Sequence, residues 1–132
     1  MLILGFSTDS SGFEQAIKKA HETFQRIDSI ILNAGTLDPL GKITTTEVSL
    51  DDWRANFEVN FFSLISALRV TVPLLNANET EPKGRIVFVS SGAAVSGIYG
   101  WGPYNASKAA MNSLCRCVLL CVILNSALLT KP

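Results

Sequence analysis

The sequence predicts an α/β domain built on a parallel sheet. Three observations predict it. Short apolar runs alternate with longer amphipathic segments, the runs end in asparagine, glycine or serine, and no linker or low-complexity stretch divides the 132 residues. Strands and helices in that alternation form parallel strands joined by right-handed crossovers. Chemistry in such sheets gathers at the carboxyl ends of the strands. A chain of this length builds one core, so residues 1–132 are read as a single domain.

The elements follow in order. "MLILG" is a short apolar run and reads as a buried strand. "SGFE" offers a capping box, in which Ser11 and Glu14 each bond the other's backbone N–H. Phe13, Ile17, Ala20 and Phe24 recur at helical spacing, so residues 11–26 read as an amphipathic helix. "DSIILNAG" is the next strand, apolar through Ile30, Ile31 and Leu32 and stopped by "NAG". After a threonine-rich loop, Ser49 and Asp52 make a second capping box, with Val48 and Trp53 placed as a hydrophobic staple. Trp53, Phe57, Phe61, Leu64, Leu68 and Val72 then mark the apolar side of a long helix, with Pro73 near its end. "GRIVFVSS" is the clearest strand, β-branched and aromatic between Gly84 and the serines. A glycine-rich loop leads into a helix that carries Tyr104 and Lys108. Its continuation, "CVLLCVILNSALL", is apolar but shorter than a bilayer span and reads as core helix.

Composition excludes several classes of function. Hydrophobic residues make up 48%, charged residues 17%, and formal net charge is zero, which fits a buried α/β domain and argues against a disordered chain. No basic stripe is present to neutralise a phosphate backbone, so nucleic acid is not an expected partner. Cys115, Cys117 and Cys121 match no zinc spacing and the single histidine, His21, is remote, so no metal site is expected. We read the three as small buried apolar groups in a reducing compartment, the cytoplasm, and their odd number argues against a disulfide framework. "MLILGF" lacks the basic region of a secretory signal, so the sequons at Asn78 and Asn105 are read as chance matches. No membrane association is expected.

Tyr104 and Lys108 lie at i, i+4 in "GPYNASKAAMNSL", so on a helix they project from one face. A phenol is a poor acid near neutrality, and an adjacent ammonium lowers its pKa. Two readings stand: a tunable proton donor, or an ordinary solvated pair. The strand-end sequences "NAG" and "SSG" favour the first, because they bring two more polar clusters to the same end of the sheet.

"ILNAG", "NFEVNFFS", "GRIVFVSS" and "YNASK" occur in the order and at about the separations of the short-chain dehydrogenase/reductases, which the chain resembles from about Ser7 to about Arg116. Within that family, "RIDSIILNAGTLDPLG" and "SGAAVSGIYGWGPYNASKAA" look most like the fungal sepiapterin- or benzil-reductase-like carbonyl reductases. The resemblance implies a Rossmann-type doubly wound sheet. It implies an oxidoreductase moving hydride between NADPH or NADH and a small carbonyl or alcohol substrate. Tyr104 would be the general acid. Lys108 would lower its pKa and bind the nicotinamide ribose hydroxyls. Ser91, thirteen residues before Tyr104, would hydrogen-bond the substrate oxygen, with Ser90 as the competing choice. Asn60 would hold a water that passes protons to Lys108. Asn33, Ala34 and Gly35 would line the adenine–ribose side of the cofactor cleft. Plainer roles stay open: Asn60 as a polar helix flank, Ser90 and Ser91 as turn formers, Gly35 as a turn glycine. Tyr99 and Trp101 are read as shaping the loop.

The sequence also departs from the family pattern. The opening strand, the T-G-x-x-x-G-x-G turn that meets the pyrophosphate, and the second strand with its NAD-or-NADP-selecting residue are not found in it. Phe6 stands where the family often has an aspartate, and residues 117–132 form an apolar tail without the family's charged helix. The expectation is therefore a partial Rossmann-type sheet of about three βα units that looks truncated at both ends, as a truncated or mis-spliced product or a faulty gene model would. In the doubly wound order, "MLILG" and "SIILN" are not neighbours, and two absent strands would leave a gap of roughly 14 Å. Such a chain would be weak or inactive alone. The alternative function is a non-catalytic remnant acting as an interaction module, as a homo-oligomer or paired with a full-length relative.

Overall fold

The computed structural model describes residues 10–79 and 84–129. The expected strand at residues 1–5, Phe6 and the end of the tail lie outside them. Helix α1 (Ser10–Phe24) comes first, followed by strand β1 (Ser29–Leu32), helix α2 (Leu50–Phe57), a π-helical turn (Glu58–Phe62) and helix α3 (Ser63–Asn76). Strand β2 (Arg85–Phe88), a 3₁₀ turn (Gly92–Ala94) and helix α4 (Gly102–Leu129) complete the order. The two strands pair in parallel, with Ile30 opposite Ile86 and Leu32 opposite Phe88. This is the α/β architecture expected, and it is consistent with part of a Rossmann-type sheet.

Local chemistry sets the boundaries. α1 begins at Ser10, so Ser11 sits inside the first turn, not at the cap the sequence suggested. It ends at Phe24, two residues before the predicted end, because Gln25 takes a left-handed φ of 58°. The Gln25 N–H donates to His21 O and its side-chain amide to Glu22 O, which satisfies carbonyls at the helix end. The capping box of α2 forms as predicted: Asp52 N–H donates to Ser49 Oγ, and Ser49 N–H donates to Asp52 Oδ2.

One face of the sheet holds the core. Ile30 and Leu32 of β1 pack with Ile17, Leu64, Ala67, Leu68, Leu75 and Met111 from α1, α3 and α4, while Ile86 and Phe88 close against them in part. The alternation within each strand puts Ile31 and Val87 on the other face, where they are 55% and 46% exposed. Along the second helix the buried positions are Asn56, Asn60, Leu64, Ala67, Leu68, Thr71 and Leu75. The expected stripe through Phe57 and Phe61 is thus displaced. The Phe61 ring meets Phe57 on one side and Phe62 on the other, each edge-on at the flank, and asparagines take the interior positions.

Three further expectations meet the structure here. Cys115 and Cys117 are exposed, contrary to the buried reading, because they fall on the outward side of α4; the side chain of Cys121 lies outside the described residues. The side-chain nitrogens of both sequon asparagines make a backbone hydrogen bond, the buried Asn78 to Ile27 O at 2.8 Å and Asn105 to Ser96 O at 3.0 Å. Among the described residues one helical stretch, Leu50–Asn76, is long and apolar enough to cross a membrane, but its inward side is packed into this core.

Candidate active site

The carboxyl ends of β1 and β2 meet the first turns of α4. That helix starts where it does because Gly102 allows a close approach. A Cβ there would lie 2.6 Å from Ile43 Cγ2 and 3.0 Å from the Trp53 ring. Pro103 follows in the first turn, where its missing N–H costs nothing. Gly41 N–H donates to Gly100 O at 2.9 Å, which ties the threonine-rich loop to the loop before α4.

Lys108 is the centre of the arrangement. It is only 4% exposed, and its Nζ donates to Val89 O, just past the end of β2, at 2.9 Å. The same ammonium stands 5.7 Å from the centroid of the Tyr104 ring, one helical turn earlier. Burial pushes the Lys108 pKa below the ordinary lysine value, since desolvation penalises its charge. The Trp101 ring meets the Tyr104 ring edge-on at 5.9 Å, so loop and helix together fix the phenol's orientation.

Gly35 connects this helix to the end of β1. A Cβ placed there would lie 3.3 Å from Asn60 Oδ1 and 3.4 Å from Lys108 Nζ, so the glycine lets strand tip, asparagine and lysine converge. Asn33 and Ala34 precede it, and all three residues are exposed. Asn60 itself is completely buried in the π-helical turn. Its Oδ1 accepts from Thr36 N–H at 2.7 Å, and its Nδ2 donates to Thr36 O at 2.8 Å. Nδ2 also lies 3.1 Å from Asn56 Oδ1 and 3.0 Å from Ser107 Oγ. Ser107 in turn donates to Tyr104 O at 3.0 Å, which links Asn60 to the tyrosine's own backbone.

The two serines after β2 differ. Ser90 donates its hydroxyl to Asn112 Oδ1 at 2.6 Å. Ser91 caps the 3₁₀ turn, accepting from Ala93 N–H at 3.2 Å, and among the described residues its hydroxyl hydrogen has no recorded acceptor. That hydrogen is the one open to an outside oxygen.

Asn60, Gly35, Tyr104 and Lys108 are thus brought together, with Asn33 and Ala34 at the adjoining strand end and Ser91 at the tip of the next. Asn56 and Ser107 were missed in the sequence. The signals were there: an asparagine one helical turn before Asn60, and a serine adjacent to Lys108 within "YNASK". No group of three metal-binding side chains occurs among the described residues.

The family described as short chain dehydrogenase matches residues 3–121 of this chain. An uncharacterized oxidoreductase of Schizosaccharomyces pombe is 43% identical over 104 residues, which cover 79% of this chain and 38% of that protein. The benzil reductase ((S)-benzoin forming) of Saccharomyces cerevisiae is 39% identical over 107 residues, covering 80% and 40%. Among solved structures, a short-chain dehydrogenase/reductase of Saccharomyces cerevisiae superposes with a TM-score of 0.76 at 33% identity, covering 85% of this chain and 42% of that one. The chain therefore spans about two fifths of the length of these relatives.

Proposed function

Because the chain belongs to the short-chain dehydrogenase/reductase family, we propose that it serves a nicotinamide-dependent oxidoreductase acting on a small carbonyl or alcohol, with Asn60, Ser91, Tyr104 and Lys108 as its working set. The observation that carries this reading is the convergence on Lys108. A buried ammonium whose one recorded bond goes to a strand-end carbonyl keeps N–H groups to offer a ribose hydroxyl. The side-chain-free Gly35 beside it leaves room for close approach from the exposed Asn33–Gly35 strand end. These features fit a nicotinamide nucleotide, either NADPH or NADH. When bound, that group supplies the hydride.

The residues divide the remaining work. Tyr104 gives its phenolic proton to the carbonyl oxygen, with the Lys108 ammonium one helical turn away beside its ring. Ser91, with its hydroxyl hydrogen uncommitted, donates to the same oxygen and holds it in place. Asn60 keeps the strand end and the helix in register, its buried side chain being taken up by Thr36, Asn56 and Ser107, so it acts on Lys108 through position and not by holding a water on its amide. The T-G-x-x-x-G-x-G turn is not among the 132 residues, so the pyrophosphate contacts it makes do not come from them, and we expect weak binding by this chain alone.

Titrating the purified chain into NADPH and into NADH, with nicotinamide fluorescence as the signal, tests the reading. Saturable binding of either is the expected result; none at millimolar cofactor would overturn it. With a carbonyl substrate, Tyr104→Phe should reduce turnover by about 100-fold or more while stability changes by less than about 0.5 kcal/mol. Unchanged turnover would remove Tyr104 as the acid.

A second reading rests on the outer face of the sheet, where Ile31 and Val87 pair in register and stand open to solvent. There the chain acts by pairing with a full-length relative. Absent cofactor binding together with co-elution of the two chains would favour it.

A further inference from the structure

We propose that Asn56 is a positioning residue of this site: its buried carboxamide joins Asn60 and the Thr36–Asp38 segment into one clamp that holds Gly35 against Lys108. The inference rests on the reading of Lys108 as the site's cation.

The hydrogen-bond inventory carries it. Asn56 is 1% exposed, and every polar group it owns is used. Its Nδ2 donates to Asp38 O at 2.7 Å and to Thr36 O at 3.3 Å, and its Oδ1 accepts from Asn60 Nδ2 at 3.1 Å. Asn60 meanwhile bonds both the N–H and the C=O of Thr36, much as a residue of a neighbouring strand would. Two asparagines one helical turn apart therefore hold three backbone groups of a segment that has no strand partner there among the described residues. Thr36 follows Gly35 directly, so the clamp fixes how far the Gly35 backbone stands from Lys108 Nζ. Burying two amides is costly unless all are satisfied, and here they are. An apolar residue at position 56 would fill the space and leave Asp38 O without this partner.

Loss of the clamp has a definite sign at Lys108. If Gly35 retreats, water reaches the ammonium and the desolvation that depresses its pKa is relieved. Tyr104 is the titratable group recorded against Lys108; the clamp itself contributes amides and carbonyls, and its removal adds no charge.

The experiment follows the Lys108 side chain by ¹³C NMR across pH in the wild-type chain, in Asn56→Ala and in Thr71→Val. Thr71 is a control: it is buried on the same continuous helix and donates only to Ala67 O, outside the clamp. Asn56→Ala should move the Lys108 titration to higher pH, and Thr71→Val should leave it in place even as stability falls. If Asn56→Ala does not fold, Asn56→Ser, which keeps one donor, should give a smaller shift in the same direction. Amide hydrogen exchange on the wild-type chain needs no variant. The Thr36 N–H should exchange at least about tenfold more slowly than that of Thr44 in the exposed loop. A Lys108 titration unmoved by Asn56→Ala or Asn56→Ser, or a Thr36 amide as fast as Thr44, would overturn the proposal. A wild-type chain that binds no nicotinamide would instead remove the reductase reading and leave both NMR comparisons to judge the clamp.

Discussion

Lys108 is where a single residue's energetics can be separated from its chemistry. Its folded-state pKa is lowered by burial, so the unfolded chain holds the proton more tightly than the folded one. Below the folded pKa, lysine is charged in both states and the folded state carries the full desolvation cost. That cost is relieved as pH rises through the folded pKa toward the ordinary value of 10.5, so wild-type stability should increase across that window. Lys108→Met removes the charge and keeps the length. It should be at least as stable as wild type near neutral pH, lose its advantage above 10.5, and bind no nicotinamide. Urea midpoints measured at several pH values check the first two points. Gly35→Ala probes the same place sterically, because its Cβ would press on Asn60 Oδ1 and Lys108 Nζ. It should lower stability by about 1 kcal/mol and weaken cofactor binding by about tenfold or more, read by denaturation and fluorescence. Motif order made Asn60, Tyr104 and Lys108 legible in the sequence. Asn56 was not, since an asparagine inside an amphipathic helix ordinarily faces solvent, and only the partners across the fold reveal that it does not.

At the scale of elements, local rules worked where the partners are local. The Ser49–Asp52 box lies within one turn, and it forms as the spacing required. Ser49→Ala should cost about 1 kcal/mol, the usual worth of a serine cap, with the Lys108 titration unmoved because α2 begins well before the site residues of that helix. Hydrogen bonds from Ser49 hold the Asp52 carboxyl below the ordinary aspartate range. Its contribution is therefore present above that range and is lost as pH falls through the folded-state value, a dependence that Asp52→Asn should abolish. Regular periodicity failed where the helix is irregular. The π-helical turn at Glu58–Phe62 shifts the phase of the residues around it, so a constant 3.6-residue period drawn from Trp53 places Phe57 and Phe61 inside. The structure instead turns Asn56 and Asn60 inward, which is what allows a helix to bind the backbone of the Thr36 segment. The irregular turn and the candidate site coincide at Asn60.

For the molecule as a whole, the sheet decides behaviour. Among the described residues it has two parallel strands of four residues each, Ser29–Leu32 and Arg85–Phe88, with one face packed and one open. Sequence foresaw both strands but not this asymmetry, because a run such as "SIIL" reads as buried on both sides, and only the helices actually present decide which side is covered. Beside β1, between it and α1, lies a cleft of about 380 Å³ lined by Phe13, Ile17, Ala20, Phe24 and Ile31 among others. Open apolar surface next to a strand edge favours self-association. We therefore expect the chain's sedimentation coefficient to rise with concentration across the micromolar range. The paired substitution Ile31→Lys and Val87→Lys should suppress that rise, since it sets two like charges side by side on the open face. The same substitutions leave Ile30, Leu32, Ile86 and Phe88 on the packed face untouched, so the Thr36 amide and the Lys108 titration should keep their wild-type behaviour. If association persists with both lysines in place, the contact lies elsewhere, and the half-exposed Phe62 at the aromatic flank of the long helix becomes the surface to substitute next.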